Sequence, residues 1–234
     1  MKKQEEYWTN IFNDEIPVLS LTYDYERPAI QSFKGNNVGF EVDTNLTSNL
    51  RELTKKTGTT MNMVLLSAFN ILLYKYSGQE DIVVGTPIAG RPHADLQNIM
   101  GMFVNTLALR NKPEGAKKYI DFLNEVKENS LKAYDNQSYQ LETLIEKLDI
   151  VRDTSRNPLF DVMFNMVDMV SDIDINLNDI SLIPYDGENN VAKFDLTLSA
   201  IEESDEFTIN IGYCSKLFNK NSIERLGKHY LSKI

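Results

Sequence analysis

Residues 61–76 constrain the fold most strongly, because this segment is apolar on almost every side. Its apolar residues are Met61, Met63, Val64, Leu65, Leu66, Phe69, Ile71, Leu72, Leu73 and Tyr76. Thr59 or Thr60 can cap the start of a helix here, and Gly78 is a typical helix stop. A helix that is apolar all round needs cover on all sides, so we expect it to be the most buried helix of a layered structure.

Helix and strand patterns alternate on both sides of this segment. Apolar residues at helical spacing predict further helices at about 4–12, 45–57, 117–134, 140–148 and 220–233. Alternating apolar residues predict strands at 38–42, from 81, and at 104–110, 160–167, 177–184, 194–201 and 207–214. The last two strands are expected to form a hairpin. This order predicts an α/β (α+β) two-layer sandwich, in which helices flank a mixed β-sheet.

Composition excludes several classes of partner. The chain has 234 residues, with 24 basic and 34 acidic side chains, and therefore a net charge of −10. Nucleic acids and anionic membranes attract clustered Lys and Arg, so we expect neither as a partner. Cys214 is the single cysteine. We therefore expect no internal disulfide, a buried thiol, and a reducing compartment such as the cytoplasm.

Residues 85–110 concentrate glycine and proline between two predicted strands, so the backbone shape must matter there. The breaking residues are Gly85, Pro87, Gly90 and Pro92. In the second strand, Asn105 shares a face with Leu107 and Leu109. A buried amide must find hydrogen-bond partners. Two roles stay open for Asn105: a structural tie between a loop and the sheet, or a group that lines a ligand channel.

No catalytic, metal or nucleotide site is predicted from the residues themselves. His93 and His229 are the only histidines, and neither has a Cys or His partner at metal-ligand spacing. We expect both to be ordinary surface groups. The frame of Gly85 and Gly90 resembles the start of a phosphate loop, but Arg91-Pro92 replaces the Lys-Ser/Thr that the loop requires.

A polar turn follows the fifth predicted helix. Its residues are Arg152, Asp153, Thr154, Ser155, Arg156, Asn157, Pro158, Leu159 and Phe160. Arginine can fork onto a carboxylate or a carbonyl and hold such a loop in place. Pro158 keeps Asn157 out of helical geometry. We interpret Arg152, Asp153, Ser155, Arg156 and Asn157 as a structural motif.

Three motifs resemble those of the condensation domains of nonribosomal peptide synthetases. Residues 101–106 with Arg110 read GMFVNT…R, which is similar to the family's GxFVNT…R. Residues 136–142 read NQSYQLE and resemble NQDYPFE, with departures at Ser138, Gln140 and Leu141. Residues 152–160 match RDxSRNPLF at every fixed position. Weaker matches occur at Tyr7-Trp8, Arg27-Pro28 and the segment 85–92.

The resemblance implies a chloramphenicol acetyltransferase-like fold and amide-bond formation between thioesters held on carrier proteins. It implies that Gly101, Phe103, Asn105 and Thr106 lie near a substrate channel, and that Asn136 and Gln137 support or border it. The segment 85–92 would form the floor, and part of the region 168–195 would reach across to the other half of the domain. No cofactor would bind directly, because the phosphopantetheine arms belong to the partner carrier proteins.

The family's active histidine lies in an HHxxxDG motif, and no two histidines are adjacent here. The resemblance therefore implies the C-terminal half of a condensation domain, with residues 1–36 as a linker-like crossover segment and residues 37–234 as an α/β body. The N-terminal half, carrier proteins and an adenylation domain would be its partners, and the chain would be inactive alone.

Three alternatives stay open at this point. The chain could be a non-catalytic module that docks carrier proteins, half of an epimerisation or cyclisation variant, or part of a freestanding acyltransferase. We also expect an Asn105→Ala change to harm function in the reassembled enzyme more than it harms folding.

Overall fold

The structure is a computed structural model, and it describes residues 2–168, 190–203 and 206–234. The helices are α1 (Lys2–Ile11), α2 (Thr44–Thr57), α3 (Met61–Ser77), α4 (Tyr119–Asp135), α5 (Leu141–Lys147) and α6 (Lys220–Leu231). The strands are β1 (Gly35–Val42), β2 (Ile82–Ile88), β3 (Asn105–Asn111), β4 (Val162–Asp168), β5 (Leu196–Glu203) and β6 (Glu206–Cys214). A short 3₁₀ turn, Ala94–Leu96, lies between β2 and β3.

The six strands form one mixed sheet in the order β1-β6-β5-β4-β2-β3. β4 runs parallel to both of its neighbours, β2 and β5. The other neighbouring pairs are antiparallel, and β5 and β6 pair from Leu196↔Tyr213 to Glu203↔Glu206. The predicted mixed sheet and the predicted pairing of the last two strands are both confirmed.

Helix α3 is the centre of the helical layer, as its sequence predicts. It contacts α2, α4 and α6 and packs on β2 and β4. The Thr60 hydroxyl accepts a hydrogen bond from the Met63 N–H, and the Gly78 N–H donates to the Tyr74 carbonyl. Leu66 and Leu73 are fully buried. The phenol of Tyr230 on α6 donates to the carbonyl of Leu65 at 3.0 Å, which ties the last helix to α3.

The two faces of the sheet differ in chemistry. Leu198 and Ile211 are paired across β5 and β6 and are buried against the helices. Their neighbours along the strands, among them Ser199 and Asn210, point to the opposite face because side chains alternate along a strand. That opposite face is partly open, and it is described below as a cleft.

Residues 13–34, within the predicted linker-like crossover, contain no helix or strand, but this segment is firmly attached to the body. Leu19 and Leu21 are buried in the main core. The Asp24 N–H donates to the Leu217 carbonyl at 2.9 Å, and the Gln31 N–H donates to the Thr154 carbonyl at 2.8 Å. This segment therefore packs along the surface of the α/β body.

Some predicted boundaries change for physical reasons. Strand β1 begins at Gly35 rather than at 38, because Gly35 to Asn37 pair with the end of β6. Strand β3 begins at Asn105, and Val104 is exposed. Phe160 precedes β4 and packs instead against Gly85. The strand predicted at 177–184 lies outside the described residues. Cys214 is buried, as expected.

Candidate functional site

Asn105 opens β3, and its side chain is fully engaged with the loop that joins α4 to α5. Its Nδ2 donates to the carbonyls of Gln137 at 2.8 Å and Tyr139 at 2.9 Å. Its Oδ1 accepts from the N–H groups of Thr106 and Leu141. The residue is only 4% exposed. This geometry is that of a structural tie, which favours the first of the two roles left open by the sequence.

Asn136 and Gln137 form the other side of this tie. Asn136 ends α4, and its Nδ2 donates to the Lys132 carbonyl at 2.8 Å. Its own carbonyl accepts the indole N–H of Trp8 at 3.0 Å. The Gln137 Nε2 donates to the Tyr134 carbonyl at 2.9 Å. Both side chains therefore hold the end of α4 in the shape that Asn105 requires.

Gly101 and Phe103 lie apart from this tie, in the β2–β3 loop (residues 89–104). Ile99, Met100, Met102 and Val104 are large apolar residues of the same loop, and all are exposed. Phe103 is half-buried under the guanidinium of Arg91, whose carbon lies 4.2 Å from the ring centre. Thr106 is half-buried at the base of the loop. The loop thus presents an apolar surface next to the start of β3.

Gly90 is required by the path of this loop. Its φ is +65°, and a Cβ there would lie 1.8 Å from the Phe103 carbonyl oxygen. Gly78 is a matched control, because its φ is +71° and a Cβ there would meet nothing within 4 Å. We expect Gly90→Ala to lower the free energy of unfolding by about 1–3 kcal/mol more than Gly78→Ala. Urea unfolding of both variants measures this, and equal losses would show that the loop adapts freely.

The RDTSRNPLF turn is a network of local and long-range contacts. The Asp153 carboxylate accepts the Ser155 N–H at 2.8 Å and lies 3.7 Å from Arg156. Arg156 reaches Asp161 at 3.1 Å. The Asn157 Nδ2 donates to the Lys193 carbonyl at 3.1 Å. Arg152 is exposed. These contacts support the structural interpretation of the motif.

A buried ionic cluster lies beneath this turn, and sequence reasoning did not identify it. Asp161 and Asp195 are each 3% exposed. The guanidinium of Arg27 donates to Asp195 and, at 3.1 Å, to the Ser155 carbonyl. The Tyr23 hydroxyl donates to Asp195 at 3.0 Å. The cluster therefore joins the irregular N-terminal segment, the motif turn and the entry to β5.

Asp161 makes stability depend on pH. Burial, reinforced by the charge of Asp195, raises the pKa of Asp161 from its usual 3.8 to about 6. A carboxyl whose pKa is raised by folding stabilises the fold fully below its unfolded pKa, and that contribution is lost as the pH rises through the folded pKa. Between about pH 5 and about pH 7.5 the loss amounts to about 1.4 kcal/mol.

The Asp161→Asn variant cannot ionise at this position and so avoids this loss. Its free energy of unfolding minus that of the unmodified protein should therefore be about 1.4 kcal/mol larger at pH 7.5 than at pH 5. Urea unfolding of both proteins at the two pH values tests the prediction. A constant difference between them would contradict the raised pKa.

An open cleft of about 480 Å³ lies on the sheet face opposite the helices. Uncharged polar and apolar residues line it together, and Lys193 is the one charged residue among the described residues of its lining. The polar ones are Asn36, Asn37, Thr197, Ser199 and Asn210, and the larger apolar ones are Met163, Val191, Phe194 and Ile201. Several are direct cross-strand neighbours, as in Ser199↔Asn210 and Met163↔Thr197. Sequence reasoning missed this cleft. The alternation along β5 and β6 was the available signal, because Thr197, Ser199, Thr208 and Asn210 alternate there with buried apolar residues.

Neither histidine lines this cleft. His93 is exposed before the 3₁₀ turn, and His229 is exposed on α6 with its Nδ1 2.8 Å from the Tyr76 hydroxyl. Within residues 2–168, 190–203 and 206–234, no three His, Cys, Asp or Glu side chains form a metal-binding group. In the same part of the chain, no helix has both the length and the apolar character needed to cross a membrane.

The pattern of motifs on this scaffold is matched by one family model. The model described as "Condensation domain" matches residues 1–234. This chain belongs to the condensation-domain family. Gramicidin S synthase 2 of Brevibacillus brevis is 50% identical over 231 residues, which are 99% of this chain and 5% of that protein. The chain thus spans about a twentieth of the length of this relative.

Solved condensation-domain structures share the fold. A four-domain nonribosomal peptide synthetase bound to AMP and glycine superposes with a TM-score of 0.86 at 25% identity, over 99% of this chain and 19% of that one. The first condensation domain of the CDA synthetase gives 0.79 at 16% identity, over 99% of this chain and 50% of that one. The expected CoA-acyltransferase-like architecture is therefore confirmed.

Proposed function

We propose that this chain is the C-terminal half of a condensation domain of a nonribosomal peptide synthetase. In this proposal it forms one wall of the channel in which an amine attacks a carrier-bound thioester to give an amide. The chain is inactive until the N-terminal half supplies the opposite wall and the proton-handling histidine. Residues 1–36 are the crossover between the halves, and residues 37–234 are the body.

One observation carries this proposal. The chain has the fold and the motifs of a condensation domain but no adjacent pair of histidines. It also covers only 50% of an individual condensation domain of known structure. Attack of an amine on a thioester requires that a proton be removed from the nitrogen. His93 and His229 do not supply this group to the cleft, because neither lines it.

The cleft on the open sheet face suits a channel wall. Its hydroxyl and amide groups, from Thr197, Ser199 and Asn210, can hydrogen-bond the amides of a phosphopantetheine arm or of a growing peptide. Neutral groups such as these can orient a substrate without fixing an ion. Asn105 contributes indirectly, because its amide holds the α4–α5 loop in place. Both of its N–H donors are used by the Gln137 and Tyr139 carbonyls, so neither is free for a substrate.

The proposed partners follow from the same chemistry. The N-terminal half of the domain binds the open face, and two carrier proteins deliver their thioesters from outside. The adenylation domain of the same synthetase loads the acceptor carrier. The single cysteine and the acidic surface agree with a cytoplasmic setting.

The alternative of a self-sufficient carrier-docking module makes a different prediction. Titrating a phosphopantetheine-loaded carrier protein into the isolated chain, followed by amide NMR shifts, should show weak binding because only one wall is present. Adding the N-terminal half of the matching gramicidin S synthase 2 condensation domain should strengthen binding. Tight carrier binding that the added half leaves unchanged would favour the docking module and contradict our proposal.

A further inference from the structure

The β2–β3 loop has little regular structure, and the side chain of Arg91 links several of its backbone carbonyls. The Arg91 guanidinium donates to three carbonyls of the loop: that of Leu96, that of Ile99 at 2.8 Å and that of Gly101 at 3.3 Å. Its guanidinium carbon lies over the Phe103 ring, 4.2 Å from the ring centre. A planar guanidinium with several donors in a fixed fork can make all four contacts at once.

The exposed apolar side chains of the loop do not hold it in this shape. Met100 is 98% exposed and Met102 is 89% exposed, and Ile99 and Val104 are each about half exposed. Exposed apolar side chains gain by collapsing onto a nearby surface, so a loop of this composition needs an internal constraint to stay open. Arg91 and the close approach of Gly90 to the Phe103 carbonyl supply constraints of this kind. The backbone hydrogen bonds of the 3₁₀ turn and the bond from Gln97 Nε2 to the Arg91 carbonyl at 3.4 Å add to them.

We propose that Arg91 is a positioning residue for the channel. It acts through Gly101 and Phe103, two residues that the family resemblance implies lie near the channel, and it keeps the apolar face of Ile99, Met100, Met102 and Val104 turned outward. The proposal rests on the proposed condensation function for its effect on turnover. Its effect on the shape of the loop does not depend on that function.

Lysine cannot replace Arg91 in this role. An ammonium group is a compact charge, so it can reach one or two carbonyls but cannot stack flat on Phe103 at the same time. We therefore expect Arg91→Lys and Arg91→Ala to release the loop in similar ways. Neither residue change touches the apolar core, so the melting temperature should stay close to that of the unmodified chain.

The first test uses methionine methyl NMR on the isolated full chain. In Arg91→Lys and Arg91→Ala, the methyl signals of Met100 and Met102 should shift and broaden, while those of Met61 and Met63 on α3 should stay unchanged. Arg225 is an exposed arginine of α6 that donates to the Ser222 hydroxyl at 3.3 Å. Arg225→Lys is therefore the control for an Arg-to-Lys change away from the loop, and it should leave all four signals unchanged. Unaltered Met100 and Met102 signals in both Arg91 variants would overturn the proposal.

The second test measures amide formation after the N-terminal half is added. We expect kcat/KM to fall at least tenfold in both Arg91 variants, and added guanidinium chloride at millimolar concentration to restore part of the loss in Arg91→Ala but not in Arg91→Lys. If the Met100 and Met102 signals change in the Arg91 variants while kcat/KM stays at the unmodified value, the positioning role of Arg91 is overturned. If the unmodified reassembled protein makes no amide, the condensation function fails, and the NMR test still decides whether Arg91 holds the loop.

Discussion

Replacing Asp195 with alanine should lower the free energy of unfolding by about 3–5 kcal/mol, the typical cost of removing one partner from a buried ion pair. The Asp195 carboxylate is 4% exposed and receives donors from both Arg27 and Tyr23. Without it, the Arg27 guanidinium, whose side chain is 14% exposed, keeps its charge in a nearly dry environment. Urea unfolding at neutral pH measures the loss.

The matched control for this change is Asp14→Ala. Asp14 also pairs with an arginine, at 2.5 Å from Arg110, but its side chain is 59% exposed, and Arg110 keeps Asp81 as a second partner. A surface pair of this kind contributes no more than about 1 kcal/mol. Equal losses in Asp14→Ala and Asp195→Ala would contradict the view that the buried cluster holds the N-terminal segment to the body.

Asn105→Ala should cost about 3–4 kcal/mol of folding stability. The change removes both donors that satisfy the Gln137 and Tyr139 carbonyls, and each buried group left unpaired costs about 1–3 kcal/mol. The sequence alone led us to expect that this substitution would affect function more than folding. The contacts change that expectation, because the amide holds the fold of the α4–α5 loop.

Asn36→Ala is the control for the asparagine change. Asn36 lies in strand β1 and is exposed, and its side chain accepts a hydrogen bond from the adjacent Asn37 N–H. Its loss should be no more than about 0.5 kcal/mol. Suppose instead that Asn105→Ala has the same melting temperature as Asn36→Ala but loses activity. That result would contradict the structural role and would indicate that Asn105 lines the channel.

The elements of the fold could be predicted from the sequence because their periodicities are strong. Helix α3 is apolar all round and has clear start and stop residues at Thr60 and Gly78. The β5–β6 hairpin follows from two alternating segments that are separated by a few polar residues. Local propensity and packing agree at these elements, so sequence reasoning succeeded there.

The site depends on contacts that no local pattern contains. Arg27 and Asp195 are 168 residues apart in sequence. The residues around each of them contain no pattern that predicts the other as its partner. The cleft requires that β6 lie between β1 and β5, which is a matter of strand order rather than of composition. The motif residues were found by resemblance, but their hydrogen-bond partners became visible only in three dimensions.

The most direct measurement combines this chain with the N-terminal half of the matching gramicidin S synthase 2 condensation domain and two loaded carrier proteins. Amide product should form with both halves present, and neither half should form it alone. Changing both histidines of the HHxxxDG motif in the added half to alanine should abolish the product. Amide formation by this chain alone, or none from two folded halves that bind each other, would contradict the proposal that it is one wall of a shared channel.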